Sequence, residues 1–196
     1  DQQQDGLERV LRNGKHLLAL INDILDISKI EASRMPVRIE PCIPREILMQ
    51  VLSAVEPLAR KRGHHLVHEL ADSPMLVKSD PTKVRQIVLN LLTNAINFTD
   101  AGEVRLESRT TETHWVITVS DTGIGIAPEE LSRIFDEFYQ VDSSTTRKVG
   151  GTGLGLPICV RMASLLRGEL TVQSTPGEGS IFTVTLPLES KPVEAA

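Results

Sequence analysis

Asn90-Leu91-Leu92-Thr93-Asn94-Ala95-Ile96-Asn97-Phe98 is the stretch on which the reading of this chain turns. Asn90, Asn94 and Asn97 are spaced four and three apart, so on a helix they share one face, while Ile87, Leu91 and Ala95 point elsewhere. Asparagine is a mediocre helix former, so helix propensity does not explain three of them on one face. Their amide oxygens are neutral hard ligands, suited to a Mg²⁺ that rides on a nucleotide and keeps most of its waters. A solvated polar face is the competing explanation for these residues alone. Just upstream, Asp80 is placed as an N-cap and Pro81 at the first helical position, which predicts a helix over Thr82 to Phe98, ended near Asp100 to Gly102.

Toward the C-terminus, Val104 to Arg109 and Trp115 to Ser120 read as strands, the second leading into Asp121-Thr122-Gly123-Ile124-Gly125-Ile126. Glycines let backbone approach a flat ligand, and a carboxylate at a strand end can accept a hydrogen bond from an exocyclic amine. Many turns share that pattern, so alone it is weak. Pro128 is expected to open a short helix to Phe138. Within it Phe135-Asp136-Glu137-Phe138 sets two aromatics three apart, in a chain with only four Phe. Packing at the base of a loop explains them as well as a ligand does. Val141 to Val149 is polar, lacks periodicity and reads as a mobile loop.

Gly150-Gly151-Thr152-Gly153-Leu154-Gly155-Leu156-Pro157 follows, ahead of a helix expected over Pro157 to Leu166 and closed by Gly168. Amides at such a helix start would face phosphate. The run is not a Walker loop, because no Gly-Lys-Thr/Ser follows at the required spacing. Nor is it a dinucleotide fingerprint, because a polar loop rather than a strand precedes it. Arg147 and Lys148 put local positive charge just before it. Leu170 to Ser174 and Ile181 to Leu186 are expected as a last strand pair around the turn Thr175 to Gly179.

Toward the N-terminus, residues 37 to 43 read as a strand or extended linker, with prolines at 36, 41 and 44. A helix is expected from Pro44 to Arg62, stopped by Gly63, then a weakly alternating strand from His65 to Leu70. The first segment differs in kind. Leu7, Leu11, Leu18, Ile21, Leu25 and Ser28 recur at spacings of three, four and seven, with Gly14 on the same stripe. Val10, Leu17 and Ile24 widen it to the face of a bundle helix. From Leu7 to Ile30 that helix is ~36 Å long, and Pro36 ends it. Its stripe calls for a partner from another chain or from further sequence, since a long exposed apolar face is a liability. The sum is an α+β fold, a two-layer sandwich of one mixed sheet and three helices, preceded by a long bundle or coiled-coil helix. Expected boundaries are 1–35, 36–188 and a disordered tail at 189–196.

Composition narrows the function. The chain has 196 residues, enough for one well-packed domain and an appendage, and 40% hydrophobic with 24% charged residues is ordinary for soluble proteins. A formal net charge of −5 argues against nucleic-acid or anionic-membrane binding, so an anionic ligand must be held locally. Cys42 and Cys159 have no metal-ligand spacing and read as thiols in a reducing compartment rather than as a disulfide. No apolar run reaches the ~20 residues of a membrane span, and Asp1 to Gly6 is no signal peptide. A cytoplasmic location is expected, with no membrane contact by these residues.

Each motif is ambiguous alone, but in this order the four resemble the GHKL superfamily, and within it the catalytic domain of sensor histidine kinases. Asn90 to Phe98 looks like its N box, Asp121 to Ile126 its first glycine box, Phe135 to Phe138 its F box and Gly151 to Leu156 its second glycine box. Leu17 to Glu31 looks like the second helix of the family's dimerisation and phosphotransfer domain, and Thr175 to Phe182 like its last hairpin. The resemblance runs from about Leu7 to Leu188.

That resemblance implies a Bergerat-type ATP-binding fold with ATP and Mg²⁺ as cofactors. Asp121 should accept the adenine amino group, with Gly123, Gly125, Ile126 and Phe138 also at the ATP site. Asn94 should coordinate Mg²⁺ with Asn90 beside it, and Asn97 belongs to the same site. Gly151, Thr152, Gly153, Leu154, Gly155 and Leu156 should surround the phosphates, with Arg147 and Lys148 on a lid spanning Val141 to Val149. ATP-hydrolysing relatives such as gyrase carry Glu one turn before the Mg²⁺ asparagine, as the base that activates water. Asn90 stands there and cannot take a proton, so transfer to a separate acceptor is expected over hydrolysis. Asn97 departs from the family, which usually has a basic residue there, and leaves Arg147 and Lys148 to supply the charge.

The acceptor histidine is expected on a helix before Leu7, outside this chain. His68-Glu69-Leu70 with Pro74 imitates its motif but lies after the dimerisation helix, and Ala71 replaces the motif's Arg. His16 lacks the motif, and His64, His65 and His114 lack supporting neighbours. The expected partners are ATP, a phosphoacceptor histidine domain, a response-regulator receiver domain and a second copy of residues 7–30. The alternative is a non-catalytic, nucleotide-binding or dimerising regulatory scaffold. Serine kinases that antagonise sigma factors share the sandwich but lack the heptad helix.

Overall fold

A computed structural model describes residues 2–32, 34–71, 76–141 and 151–190. The chain divides into two compact units, Asp1–Pro36 and Val37–Ala196. The first is a single helix, α1 (Gln2–Glu31). Along it Val10, Leu11, Leu17, Leu18, Ile21, Ile24 and Leu25 are all exposed, and they belong to the apolar stripe read in the sequence.

The second unit runs β1 (Glu40–Cys42), α2 (Pro44–Arg62), β2 (His65–Leu70), β3 (Val77–Ser79), α3 (Pro81–Phe98), β4 (Glu103–Thr110), β5 (His114–Asp121), α4 (Gly155–Leu165), β6 (Glu169–Thr175) and β7 (Gly179–Pro187). Five strands form a sheet in the order β2-β4-β5-β7-β6. β2 runs parallel to β4 and the other neighbours are antiparallel, so the sheet is mixed. A parallel pair needs a long crossover, and α3 lies within it.

Alternation sorts the strands into two faces. Val104, Leu106, Trp115, Ile117, Val119, Phe182, Val184 and Leu186 are buried on one of them. Register sets Ile117 opposite Val184 and Trp115 opposite Leu186, so the apolar rows run across the sheet. α2, α3 and α4 cover this face, with α3 in the middle, against both other helices and against β4 and β5. Their buried residues include Leu48, Val51, Ile87, Leu91, Ile158 and Met162. Full burial of one such side chain stabilises by about 1.5–3 kcal/mol. The three-helix sandwich is the architecture expected from the sequence.

Three local expectations need correction. Pro128 to Phe138 is a run of turns rather than a helix. The N–H groups of Glu130, Leu131, Arg133 and Asp136 bond to carbonyls three residues back, and Ile134 alone among them reaches four back. The far end of the segment is drawn off to the second glycine run, where the Phe138 N–H bonds to the Gly153 carbonyl instead of to a carbonyl one turn back. The strand β3 was not anticipated; it pairs with β1, Pro41 opposite Lys78. The tail does not leave the fold at residue 189. Glu189 bridges to Lys78, and the Ser190 N–H donates to the Lys78 carbonyl at 2.8 Å. The rest of the expected tail, 191–196, lies outside the described residues. Among those residues no helix is long and apolar enough to cross a membrane.

Candidate functional site

The asparagine helix α3 is fixed at both ends. At its start the Asp80 carboxylate accepts from the N–H groups of Thr82 (3.0 Å), Lys83 (3.1 Å) and Arg38 (2.9 Å). The Lys83 ammonium lies 3.3 Å from Oδ2, the oxygen that also takes the Arg38 N–H, and both side chains are nearly inaccessible. Burial alone would raise the Asp80 pKa, but the Arg38 and Lys83 N–H groups and the Lys83 charge together hold it below the usual range. At the far end Arg62 donates to the Ile96 and Asn97 carbonyls, and His64 Nε2 donates to Ile96 at 3.0 Å. Between these anchors Asn90, Asn94 and Asn97 stand half-buried on one face.

The end of α3 meets the first glycine turn. Ile124 N–H donates to the Phe98 carbonyl at 3.1 Å. A Cβ on Gly123 would lie 2.3 Å from that carbonyl oxygen and 2.8 Å from Asp121 Oδ1, so only glycine allows this approach. Gly123 N–H donates to Asp121 Oδ1 at 2.9 Å. Burial raises the Asp121 pKa above its ordinary value, against the Gly123 and Ser180 N–H groups, which favour the ionised form. A half-buried carboxylate at a strand end, held by backbone and perturbed upward, is what a ligand site produces. The last hairpin supports the turn: Ile126 N–H donates to Ser174 Oγ at 2.8 Å and Gly177 N–H to the Ile124 carbonyl at 2.8 Å.

The second glycine run opens α4 without a side-chain cap. Leu154, the capping residue, is fully buried and has no oxygen to offer. Thr152 Oγ1 instead accepts from Leu154 N–H at 3.1 Å. Gly153 turns at φ 70°, where an L side chain is strained. Its carbonyl accepts the Phe138 N–H at 3.1 Å, joining the Phe135–Phe138 segment to the glycine run. Asn90 Nδ2 donates to the Gly155 carbonyl at 3.5 Å, joining α3 to the same run.

The structure therefore brings Asn90, Asp121, Gly123, Gly125, Ile126, Phe138, Gly151, Thr152, Gly153, Leu154, Gly155 and Leu156 onto elements that are bonded to one another. Asn94 and Asn97 share the face of Asn90. Phe138, at φ 61°, is 62% exposed. Glu137 pairs with Arg161 of α4, and Arg133 lies over the Tyr139 ring at 4.1 Å. Arg147 and Lys148, with the loop at 142–150, lie outside the described residues. Sequence reasoning missed Ser174, Gln140 and Cys159. Gln140 Nε2 donates to the Gly151 carbonyl at 2.8 Å and Cys159 Sγ lies 3.6 Å from Asn90 Nδ2. No spacing rule flags such single partners. A cleft of about 510 Å³ on the opposite sheet face, lined by Glu69, Glu107, Arg109, Val116 and Thr118 among others, contains none of the residues above.

The family model for histidine kinase-, DNA gyrase B- and HSP90-like ATPases matches residues 79–190. The chain belongs to this ATPase family. The match starts one residue before the Asp80 cap and ends after β7, so the family unit contains the asparagine face, Asp121 and both glycine runs, while Arg38, Arg62 and His64 lie before it. Among the relatives, the sensor protein TorS of Escherichia coli K12 is 42% identical over 189 residues, 95% of this chain and 20% of TorS. The sensor histidine kinase RcsC of the same organism is 39% identical over 186 residues, 94% of this chain and 20% of RcsC. The chain thus spans about a fifth of the length of these relatives. The crystal structure of full-length ShkA in complex with AMPPNP superposes with a TM-score of 0.84 at 30% identity, covering 98% of this chain and 40% of ShkA. The nucleotide-free catalytic domain of histidine kinase ThkA gives 0.68 at 25% identity, covering 78% of this chain and 99% of that domain. The chain thus carries an ATP-binding domain of the type found in the sensor histidine kinases it is similar to, as the resemblance implied.

Proposed function

We propose that this ATPase-family domain holds Mg²⁺-ATP between α3 and the N-terminus of α4 and transfers its γ-phosphoryl group to a histidine on another domain, leaving ADP. The observation that carries the reading is Asp121. It is a carboxylate at the end of a central strand, held by Gly123 and raised in pKa by burial, which suits it to accept the adenine amino group. Gly151, Gly153 and Gly155 line the phosphates at the uncapped helix end. Asn94 takes a metal position with Asn90 beside it: neutral amide oxygens beside a glycine run suit Mg²⁺ on a triphosphate. Asn97, Arg147 and Lys148 complete the site. Because Asn90 stands where hydrolases carry their base, transfer is favoured over hydrolysis.

Residues 1–35 are read as the second helix of a dimerisation and phosphotransfer domain and 36–188 as the catalytic domain. The exposed row from Val10 to Leu25 supports pairing with a second copy. The phosphoacceptor histidine domain and a receiver domain are the protein partners of the full system, which acts in the cytoplasm. Sedimentation of the chain should show a dimer that Leu18→Glu with Leu25→Glu dissociates; a strict monomer at high concentration overturns the pairing.

Calorimetric titration with a non-hydrolysable ATP analogue tests the site. Asp121→Asn should weaken binding by ~10–150-fold, the worth of a charge-assisted hydrogen bond. Unchanged affinity overturns the adenine assignment, and no binding by the wild type brings forward the scaffold reading.

A further inference from the structure

We propose that Cys159 is a positioning residue for Asn90: with the Gly155 carbonyl it occupies the amide nitrogen of Asn90, so that the amide oxygen is the end offered to a metal-bound nucleotide. This rests on the reading of Asn90 as a residue on the metal side of the site.

A carboxamide is nearly symmetric in shape, and its two ends do opposite chemistry. The nitrogen has two N–H donors and no useful lone pair, and the oxygen only accepts. Which end faces the ligand decides whether Asn90 supports or repels a cation. Two contacts decide it. Gly155 presents a carbonyl oxygen 3.5 Å from Nδ2, and a carbonyl only accepts, so the reversed amide would set two acceptors against each other. Cys159 presents sulfur 3.6 Å from the same nitrogen. Two acceptors meet the two N–H donors, and the oxygen is left for other partners.

The thiol is oriented for this part. Cys159 is fully buried on the second turn of α4, and its Sγ lies 3.8 Å from the Ile87 carbonyl, one turn before Asn90 on α3. Its proton is thereby directed at Ile87 and its lone pairs are left toward Asn90. Valine at this place would fill the space and supply no acceptor. Serine would supply one with a stronger donor and acceptor in a smaller group. The helix that follows the phosphate-facing glycines therefore does more than present its own amides: it sets the rotamer of a residue on the facing helix.

The test compares affinity for a non-hydrolysable ATP analogue with Mg²⁺ and with EDTA, in the wild type, Asn90→Ala, Cys159→Val and Cys159→Ser. Expected is an Mg²⁺ enhancement in the wild type, absent in Asn90→Ala, reduced about three- to tenfold in Cys159→Val and restored in Cys159→Ser. Affinity in EDTA should hardly change in the two Cys159 variants. The Asn90 side-chain NH₂ resonances should also shift in Cys159→Val. If Asn90→Ala abolishes the enhancement and Cys159→Val keeps it in full, the positioning role is overturned and the site reading stands. If Asn90→Ala binds with full enhancement, the reading of Asn90 falls and this proposal with it. Should Cys159→Val not fold, Cys159→Ala replaces it with the same two readouts. Equal losses with and without Mg²⁺, unrescued by serine, would mark Cys159 as packing and overturn the proposal.

Discussion

α3 and α4 begin in opposite ways. Both helices have a positive N-terminal end, where the first amides lack carbonyl partners within the helix. At α3 a buried carboxylate, Asp80, takes two of those amides, a third from Arg38 and a lysine charge as well. At α4 the capping position is a buried leucine, reached through Gly151-Thr152-Gly153, and no side chain caps the helix amides. One helix end is closed by the chain's own anion. The other suits an anion brought from outside. The pair shows how one physical device serves stability in one place and binding in another, the choice resting on whether a side-chain oxygen is supplied.

The largest expected effect comes from opening the closed end. Asp80→Ala removes the partner of a buried lysine along with three hydrogen bonds. Urea unfolding should show a loss of about 3–5 kcal/mol, as for a buried pair broken from one side. Nucleotide affinity of the protein that remains folded should stay near the wild-type value. A loss below about 1 kcal/mol would mean that Asp80 behaves as a surface group and the contrast fails.

Closing the open end is the converse experiment. Gly151 is exposed, and a Cβ added there meets nothing nearer than Gln140 Nε2 at 4.0 Å. Gly151→Asp therefore brings a carboxylate toward the positive end without steric strain. ATP-analogue affinity should fall by about 5–30-fold, equivalent to ~1–2 kcal/mol of dipole and charge competition. Stability should stay within about 0.5 kcal/mol. Gly151→Asn, equal in size and neutral, should bind far closer to wild type, which separates charge from bulk.

Acid titration yields the smallest effect and sharpens the comparison through its sign. Asp80 has a depressed pKa in the fold. Its contribution is present above the unfolded value of about 4 and is lost as pH falls through the folded value, so Asp80→Asn should flatten the acid limb of the stability curve. Asp121 has a raised pKa, so the folded state holds its proton longer than the unfolded chain. Its ionisation therefore lowers stability as pH rises from about 4 through the folded value, and Asp121→Asn should remove that decline. The same slope in both variants would refute one of the two assignments.

The closed end was legible in the sequence, because Asp80-Pro81 ahead of an apolar-periodic run is a local signal with a local cause. So were the three asparagines of one face and the alternating strands β4, β5 and β7, whose inward residues are mostly apolar. Legibility failed where structure depends on distant partners. β3 has three residues, too few for a period, and exists through pairing with β1. Residues 128–138 carry a helix-like opening but settle into turns bonded to the neighbouring glycine run through Phe138 and Gly153. Cys159 reads as a buried thiol, and its contact with Asn90 spans 69 positions of chain. The joint order of four motifs made the family plain, whereas the links between those motifs had to be seen in the fold.

The last hairpin has a consequence for how the protein is made. The first glycine turn is written in the middle of the chain, yet its backbone is steadied by Ser174 and Gly177, and Asp121 by the N–H of Ser180. During synthesis from the N-terminus, the first glycine turn and Asp121 emerge well before the segment that holds them in shape. A nascent chain stalled ahead of Ser174 carries Asn90, Asn94, Asn97 and both glycine runs but lacks every residue of the hairpin that steadies the first of those runs. The first glycine turn thus takes its final shape only once β6 and β7 have folded onto the sheet.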